Sequence, residues 1–122
     1  MIKTFSLLGK FEKFTDRWQP KIIGELNESY VKIAKLHGEF IWHHHEQEDE
    51  LFYIVKGELT IHLQGQEPLV LKAGDMTVIP HGVEHKPEAK EETWIMMIEP
   101  KATVNTGNVE NTDRTVARPD WI

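Results

Sequence analysis

The sequence predicts an all-β protein whose strands form a jelly-roll barrel, or double-stranded β-helix. Short stretches of β-branched, aromatic and other apolar residues recur about every ten residues, and Gly or Pro lies between them. Several stretches alternate apolar and polar residues, which is the pattern of a strand with one buried face. A length of 122 residues suits one domain. We therefore expect a single barrel with its core over about residues 21–99.

The first expected element is an N-terminal helix over about residues 5–18, ended by Pro20. Its apolar side chains are spaced three and four apart and form one stripe, which comprises Leu7, Leu8, Phe11, Phe14 and Trp18. We expect the stripe to pack on the outside of the barrel or on a partner subunit. A lid over the mouth of the barrel is the alternative.

Three strands are expected at the start of the barrel. Residues 22–23 and 30–36 are apolar or alternating, and the turn residues 27–28 join them. The third strand is expected over residues 39–45, where bulky aromatic and β-branched side chains lead into a run of histidines. These strands carry the chain to the first candidate site residues.

Beyond residue 50 we expect a meander of short strands. Gly57 separates the first two, and turns are expected over residues 65–68 and 72–75 because Gly, Pro and Asp cluster there. The expected strands cover residues 51–56, 58–63, 69–71, 76–79 and 92–99. After Pro100 the sequence turns to Thr, Asn, Gly and charged residues, so we expect an extended tail over residues 100–122, ordered by a neighbour.

Composition narrows the classes of function. The chain has no Cys, so a bound metal would need His and carboxylate ligands, and a reducing compartment is compatible. The net charge is −6 and the basic residues form no cluster, which argues against nucleic acid as a partner. Lys3 stands where a signal peptide would begin its apolar core, and the apolar runs are short. We expect a cytoplasmic protein without a membrane partner.

Four residues form a candidate metal site. His43 and His45 stand two apart, so a strand would point both imidazoles to one face. Glu50 heads the next apolar run, and a hairpin would return its carboxylate beside them. His85 follows the turn residues 80–82, which would direct it inward. Nitrogen and oxygen donors of this kind suit a borderline divalent metal and leave positions for water or substrate.

These assignments have alternatives. The histidine run is also compatible with surface or hydrogen-bonded histidines, and His44 is expected to point away from its neighbours. His81 is either near a substrate or a solvated turn residue. Trp42 and Phe52 are candidates for the pocket wall, although aromatic residues in strands commonly belong to the core. The carboxylates that compete with Glu50 for the ligand role are Glu46, Glu48 and Asp49.

The two segments resemble the two motifs of the cupin superfamily, in its small single-domain bacterial form, over roughly residues 36–99. The first motif is matched by Gly38, His43, His45, Glu50 and Gly57, and the second by Gly74, Pro80, Gly82 and His85. Two departures stand out: four rather than five residues separate Gly38 from the histidine pair, and Ala89 replaces the Asn that often ends the second motif. That Asn is not a metal ligand in the family, so the ligand set is intact.

The resemblance implies the cupin jelly roll, a homodimer, and a divalent metal such as Fe, Mn, Ni or Zn held by three His and one Glu. About two coordination positions would remain open, which permits isomerase-like or dioxygenase-like chemistry on a small polar molecule. No Arg or Lys is identified at an inward position of the motif strands, so no clamp for a phosphate or carboxylate is predicted and the substrate is unassigned. A non-catalytic binder of a sugar-like molecule and a barrel merely braced by metal are the other hypotheses.

Overall fold

A long strand, β7 (His85–Pro100), pairs with three other strands of the sheet. The structure is a computed structural model that describes residues 2–122. The elements are α1 (Leu7–Phe11), β1 (Lys21–Leu26), β2 (Ser29–Glu39), β3 (Glu50–Lys56), β4 (Glu58–Leu63), β5 (Gln66–Lys72), β6 (Met76–Ile79), β7 (His85–Pro100) and β8 (Asp120–Trp121). The sheet order is β5-β4-β7-β2-β1-β8, and β3 pairs with both β7 and β6. The predicted all-β fold with a short N-terminal helix is confirmed.

β7 is the central strand of the sheet because it pairs with β2 along one edge and with β4 and β3 along the other. It runs antiparallel to β2 along almost its whole length, from Ser29 opposite Pro100 to Glu39 opposite Glu88. Its first residues pair with β4 on the other edge, and its last residues pair there with β3. Both β3 and β7 begin with a candidate site residue, Glu50 and His85, so the strand starts place these side chains near each other.

Alternation along β2 and β7 creates two apolar cores on opposite faces of the sheet. The barrel interior contains Trp18, Ala34, Leu36, Phe40, Phe52, Ile54, Leu59, Ile61, Leu71, Ile79, Ala89, Ile95 and Met97. On the outer face, Phe11 is fully buried with Ile23 and Ile33. The Phe11 ring stacks on Trp94 with centroids 4.8 Å apart, which fixes α1 to the outside of the barrel.

The helix is much shorter than the predicted 5–18. The Ser6 side chain caps it by accepting a hydrogen bond from the Gly9 amide at 3.0 Å, and the helix ends at Phe11. Trp18 has a φ of 60°, which is incompatible with a helix. Its backbone amide donates to the Lys35 carbonyl at 2.9 Å, so contacts with β2 set the conformation of this segment.

The prediction of a third strand over residues 39–45 is wrong. β2 continues to Glu39 through an irregularity between Leu36 and Gly38, where Gly38 has a φ of 88°. The chain then leaves the sheet, and only His43 pairs again, with His85, through an isolated bridge. The two residues exchange backbone hydrogen bonds of 3.0 and 2.9 Å, which brings the two candidate segments together.

Two smaller boundaries also differ. The turn predicted at residues 65–68 lies one position earlier, at residues 64–65, and Gly65 has a φ of 72°. Pro68 belongs to β5, which is tolerated because β5 is an edge strand. The last strand starts at His85 instead of residue 92.

The tail is ordered by its own barrel. β8 pairs in parallel with β1, and the Ile122 amide donates to the Ile22 carbonyl at 3.1 Å. Thr103 and Thr106 are buried, so the tail does not require a neighbouring subunit for its order. Within residues 2–122, no helix has the length and apolar character needed to cross a bilayer.

Candidate metal centre

The four predicted residues meet inside the barrel. His43, His45, Glu50 and His85 are each at most 4% exposed. One nitrogen or carboxylate oxygen from each lies within 4.8 Å of those of the others. Two of them begin strands and the other two lie on the irregular segment after β2, so the sheet pairing itself assembles the cluster.

Two of the imidazoles have their orientation fixed by backbone carbonyls. His43 Nδ1 lies 2.9 Å from the carbonyl oxygen of Ile41, and His85 Nδ1 lies 2.8 Å from that of Val83. A carbonyl only accepts, so Nδ1 must carry a proton, and in the neutral ring Nε2 then has the lone pair. This is the arrangement that presents a histidine to a cation.

The chemistry of the cluster fits a metal ion. Within residues 2–122, the buried atoms that lack a hydrogen-bond partner include both ring nitrogens of His45, Nε2 of His85 and Oε1 of Glu50. Glu50 Oε1 lies 3.0 Å from His45 Nε2 and 3.6 Å from His85 Nε2. Buried polar atoms without partners are costly, and one cation among these atoms would satisfy them together.

Burial and neighbouring charges favour the metal-binding protonation state of two cluster residues, His43 and Glu50. Burial, with the neighbouring His85 imidazole, lowers the pKa of His43 to about 4. Burial alone would raise the pKa of Glu50, but its interactions with His45 and His85 hold that pKa well below the usual range. Neutral imidazole and ionised carboxylate are the forms that bind metals.

The Cupin domain family matches residues 29–100, which include all four of these residues. The chain belongs to the cupin family. It is 36% identical over 101 residues to "Uncharacterized protein YdbB" of Bacillus subtilis strain 168, and the match covers 83% of this chain and 89% of that one.

Solved structures share the fold of this chain. A cupin-2 domain containing protein from Shewanella frigidimarina is 46% identical with a TM-score of 0.77, covering 80% of this chain and 94% of that one. Hydroquinone 1,2-dioxygenase from Sphingomonas sp. TTNP3, with 4-hydroxybenzoate bound, is 15% identical with a TM-score of 0.69, covering 81% and 75%. The latter likeness is one of fold alone.

A cavity of about 40 Å³ opens beside the cluster of this cupin. His43 and Glu50 form part of its wall, and Phe52 lines it as predicted. The remaining lining residues are mostly apolar and comprise Trp18, Pro20, Ala34, Leu36, Phe40, Pro87, Ile95, Met97, Glu99 and Asn105. Such a volume accommodates a few water molecules, so the cavity suits the free positions of a metal and a small group.

Two predicted pocket residues lie elsewhere. Trp42 is 43% exposed and lies beneath the Lys86 ammonium, 5.7 Å from it. The His81 side chain is 60% exposed, and its Nδ1 lies 2.9 Å from a carboxylate oxygen of Asp49. Both belong to the protein surface, because the segments that carry them leave the barrel at those positions.

The competing carboxylates have other partners. Glu46 and Glu84 lie 2.7 and 2.8 Å from the two ring nitrogens of His44, and they raise the pKa of this histidine, Glu84 most strongly. Asp49 contacts His81, and Glu48 lies 3.9 Å from His45 Nδ1. Glu50 is therefore the carboxylate of the acidic segment that enters the cluster.

A buried Lys32–Glu99 pair adjoins the site, and its lysine lies on β2 before the motif strands to which the prediction of no inward Arg or Lys applied. Lys32 Nζ donates to Glu99 Oε1 at 2.8 Å, and both side chains are 2% exposed. Burial and the adjacent Glu50 carboxylate raise the pKa of Glu99 well above its usual range. Lys32 is two and four residues before the interior residues Ala34 and Leu36, so strand periodicity places it on the same inward face.

The tail contributes the other part of the site that sequence reasoning missed. Asn105 lines the cavity, and its side chain is held by the Arg114 carbonyl and the Val116 amide, both at 2.8 Å. Gly107 and Asn108 contact the backbone of His44, between the two clustered histidines. Residues 103–108 therefore form a strap against the site.

Proposed function

We propose that this cupin binds one divalent metal ion through His43, His45, Glu50 and His85 and uses it to bind or convert a small polar molecule. The supporting observation is the convergence of four buried side chains, three of which present atoms that lack hydrogen-bond partners within the described chain, namely His45, Glu50 and His85. The donor set is three imidazoles and one carboxylate, which suits Fe, Mn, Ni or Zn.

When bound, the metal would act as a Lewis acid at positions that these four ligands leave free. The protein residues prepare that chemistry. The carbonyls of Ile41 and Val83 hold two imidazoles in the required tautomer. The apolar wall that includes Phe52 and Met97 keeps bulk water away and strengthens electrostatic interactions inside.

The cavity limits what can be bound. Sites for drug-sized ligands have volumes of roughly 300–1,000 Å³, and this cavity has about 40 Å³. A polar head of a few atoms would fit beside the metal, while a larger apolar body would require side chains at the opening to move. We propose isomerase-like or dioxygenase-like conversion of such a molecule as the reaction class.

A non-catalytic binder is the second candidate. The cavity wall is mostly apolar, and of its polar side chains outside the cluster the Asn105 amide already bonds two backbone groups and one oxygen of Glu99 accepts from Lys32. A site that binds without turnover needs only metal coordination and an apolar wall. This observation favours recognition of a small molecule over acid–base chemistry by side chains.

Elemental analysis of protein purified without a tag tests the metal, with His85→Ala as the variant and the exposed His81→Ala as its matched control. We expect about one transition metal per chain in the wild type and in His81→Ala, and loss in His85→Ala. Equal metal content in all three would contradict the proposal.

Metal-loaded protein is then screened with small diols, phenols and keto acids, and both product formation and melting temperature are measured. A change in melting temperature without product formation supports the non-catalytic binder.

A metal that only braces the barrel predicts a different pattern. The loaded protein would then melt well above the apo protein, and none of the small molecules would shift the melting temperature further.

A further inference from the structure

The C-terminal loop, residues 104–116, covers one side of the cluster. A Cβ at Gly107 would lie 3.2 Å from His45 Nδ1, so the backbone of the loop lies directly against this candidate ligand. The Arg114 guanidinium lies over the Trp18 ring, 5.4 Å from the ring centroid, and Trp18 lines the cavity. The loop therefore shields both an imidazole of the cluster and an aromatic wall of the cavity.

Most hydrogen bonds of the loop are internal. The Asn105 side chain joins the two ends, since it donates to the Arg114 carbonyl and accepts from the Val116 amide, both at 2.8 Å. Between the ends, the hydroxyl groups of Thr106 and Thr115 bond each other at 2.8 Å. A compact loop with neighbouring ends and its own side-chain packing is an Ω-loop, so it can move as one body without losing these bonds.

The loop is bound only weakly to the barrel. Among residues 2–122, its hydrogen bonds to other segments are the two between Asn108 and His44, and none of its side chains belongs to either apolar core of that range. Asn108 is exposed, so water can replace both bonds. These are the features of a segment that opens locally. Much of the cavity wall, by contrast, comes from β2 and β7, and moving these strands would break their ladder.

Access to the cluster requires part of the wall to move. Its four residues are at most 4% exposed, and the cavity beside them has about 40 Å³. We propose that residues 104–116 are a lid that opens as a unit to admit the metal ion and the small molecule, and that Arg114 on Trp18 and Asn108 on His44 hold it closed. The inference rests on the proposed metal-binding function and adds the route of entry.

The test compares the kinetics of Co²⁺ binding in the wild type, Arg114→Ala and Arg118→Ala. Arg114→Ala removes the contact with Trp18 and keeps the backbone carbonyl that Asn105 binds. Arg118→Ala is the matched control because it removes the same charge from an exposed residue beyond the loop. Association of Co²⁺ and its release to EDTA are both followed by visible absorption.

A lid limits entry and exit alike. We therefore expect Arg114→Ala to raise the association and release rate constants by the same factor, about 2- to 5-fold for loss of one exposed cation–π contact, and to leave the Kd unchanged. Arg118→Ala should behave as the wild type. Faster release alone, with weaker binding, would show that Arg114 supports the site and would overturn the lid. Equal rates in all three proteins would also overturn it.

Hydrogen exchange in the metal-free protein tests the opening without a metal. The amides bonded within the loop, those of Gly107, Val109 and Val116, should exchange together and well before the amides of β2 and β7. Protection equal to that of β7 would overturn the lid. A wild type that binds no Co²⁺ while its loop exchanges in this way would refute the proposed metal site but not the opening of the loop.

Discussion

His44 and Asn108 exchange two hydrogen bonds. The Asn108 amide donates to the His44 carbonyl at 2.9 Å, and the His44 amide donates to Asn108 Oδ1 at 2.8 Å. His44 lies between two residues of the cluster, so this pair fastens the C-terminal strap to the segment that carries His43 and His45. Order in the strap and order in the metal site should therefore depend on each other.

Asn108→Ala removes one of these two hydrogen bonds. We expect a loss of about 1 kcal/mol in the free energy of unfolding, typical of one hydrogen bond, and weaker metal binding as the segment loosens. Urea unfolding and metal titration measure the two effects. Glu110→Ala is the control because Glu110 is exposed and lies two residues beyond Asn108 in the tail. Equal behaviour of the two variants would mean that the strap does not support the site.

Gly107→Ala should be more damaging than a substitution at another glycine with positive φ. A Cβ at Gly107 would overlap the His44 carbonyl and lie 3.2 Å from His45 Nδ1. Gly65 has a φ of 72° and nothing within 4 Å of its Cβ position, so Gly65→Ala adds only backbone strain of about 1–2 kcal/mol. Thermal unfolding should show the larger loss for Gly107→Ala. A smaller loss there would contradict the close packing of the strap.

The contribution of His43 to the unfolding free energy of the metal-free protein should fall as the pH drops from about 6.5 to about 4. Its pKa is lowered from 6.5 to about 4 in the folded state, so the unfolded chain binds more protons in this window. Linkage gives a loss on the order of 3 kcal/mol, complete once the pH is below the folded pKa. Glu99 has the opposite effect on the unfolding free energy: its pKa is raised in the folded chain, so its contribution to stability increases as the pH falls.

Comparison with His43→Gln isolates this contribution. The difference in unfolding free energy between wild type and variant, measured in urea at several pH values, should decrease from pH 7 to pH 4. A constant difference would show that His43 has no lowered pKa in the folded chain.

We expect a homodimer, since several large apolar side chains are exposed. Ile2, Phe5 and Leu8 near the N-terminus are 98, 52 and 54% exposed, and Met76 and Val78 of β6 are 59 and 55% exposed. Apolar surfaces of this kind commonly mark contacts between subunits. Light scattering at micromolar concentration should give twice the 14.2 kDa chain mass. A monomer would refute the prediction.

The sequence was informative where local pattern determines structure. Glu50 and His85 begin β3 and β7, and the periodicity of these strands made their positions predictable. His43 and His45 were paired by strand alternation, but they lie on an irregular segment where an isolated bridge from His43 to His85 brings them to the cluster. Trp18 shows the limit of that periodicity: its apolar spacing predicts a helix, but long-range bonds from its amide and indole to the Lys35 and His37 carbonyls impose a positive φ.

Pairings between distant polar residues were beyond sequence reasoning. Lys32 and Glu99 are 67 positions apart, and a lysine in a strand ordinarily faces solvent. Asn105 and Asn108 lie in a segment without apolar periodicity, so only their hydrogen bonds give them a place in the structure. Both features depend on the tertiary fold that the strands establish first.

Anomalous diffraction from crystals of untagged protein, collected above the absorption edge of the metal found by elemental analysis, tests the central claim most directly. We predict one anomalous peak per chain, bonded at about 2.0–2.2 Å to Nε2 of His43, His45 and His85 and to the Glu50 carboxylate. A metal peak bound elsewhere, with these four side chains hydrogen-bonded to one another, would contradict it.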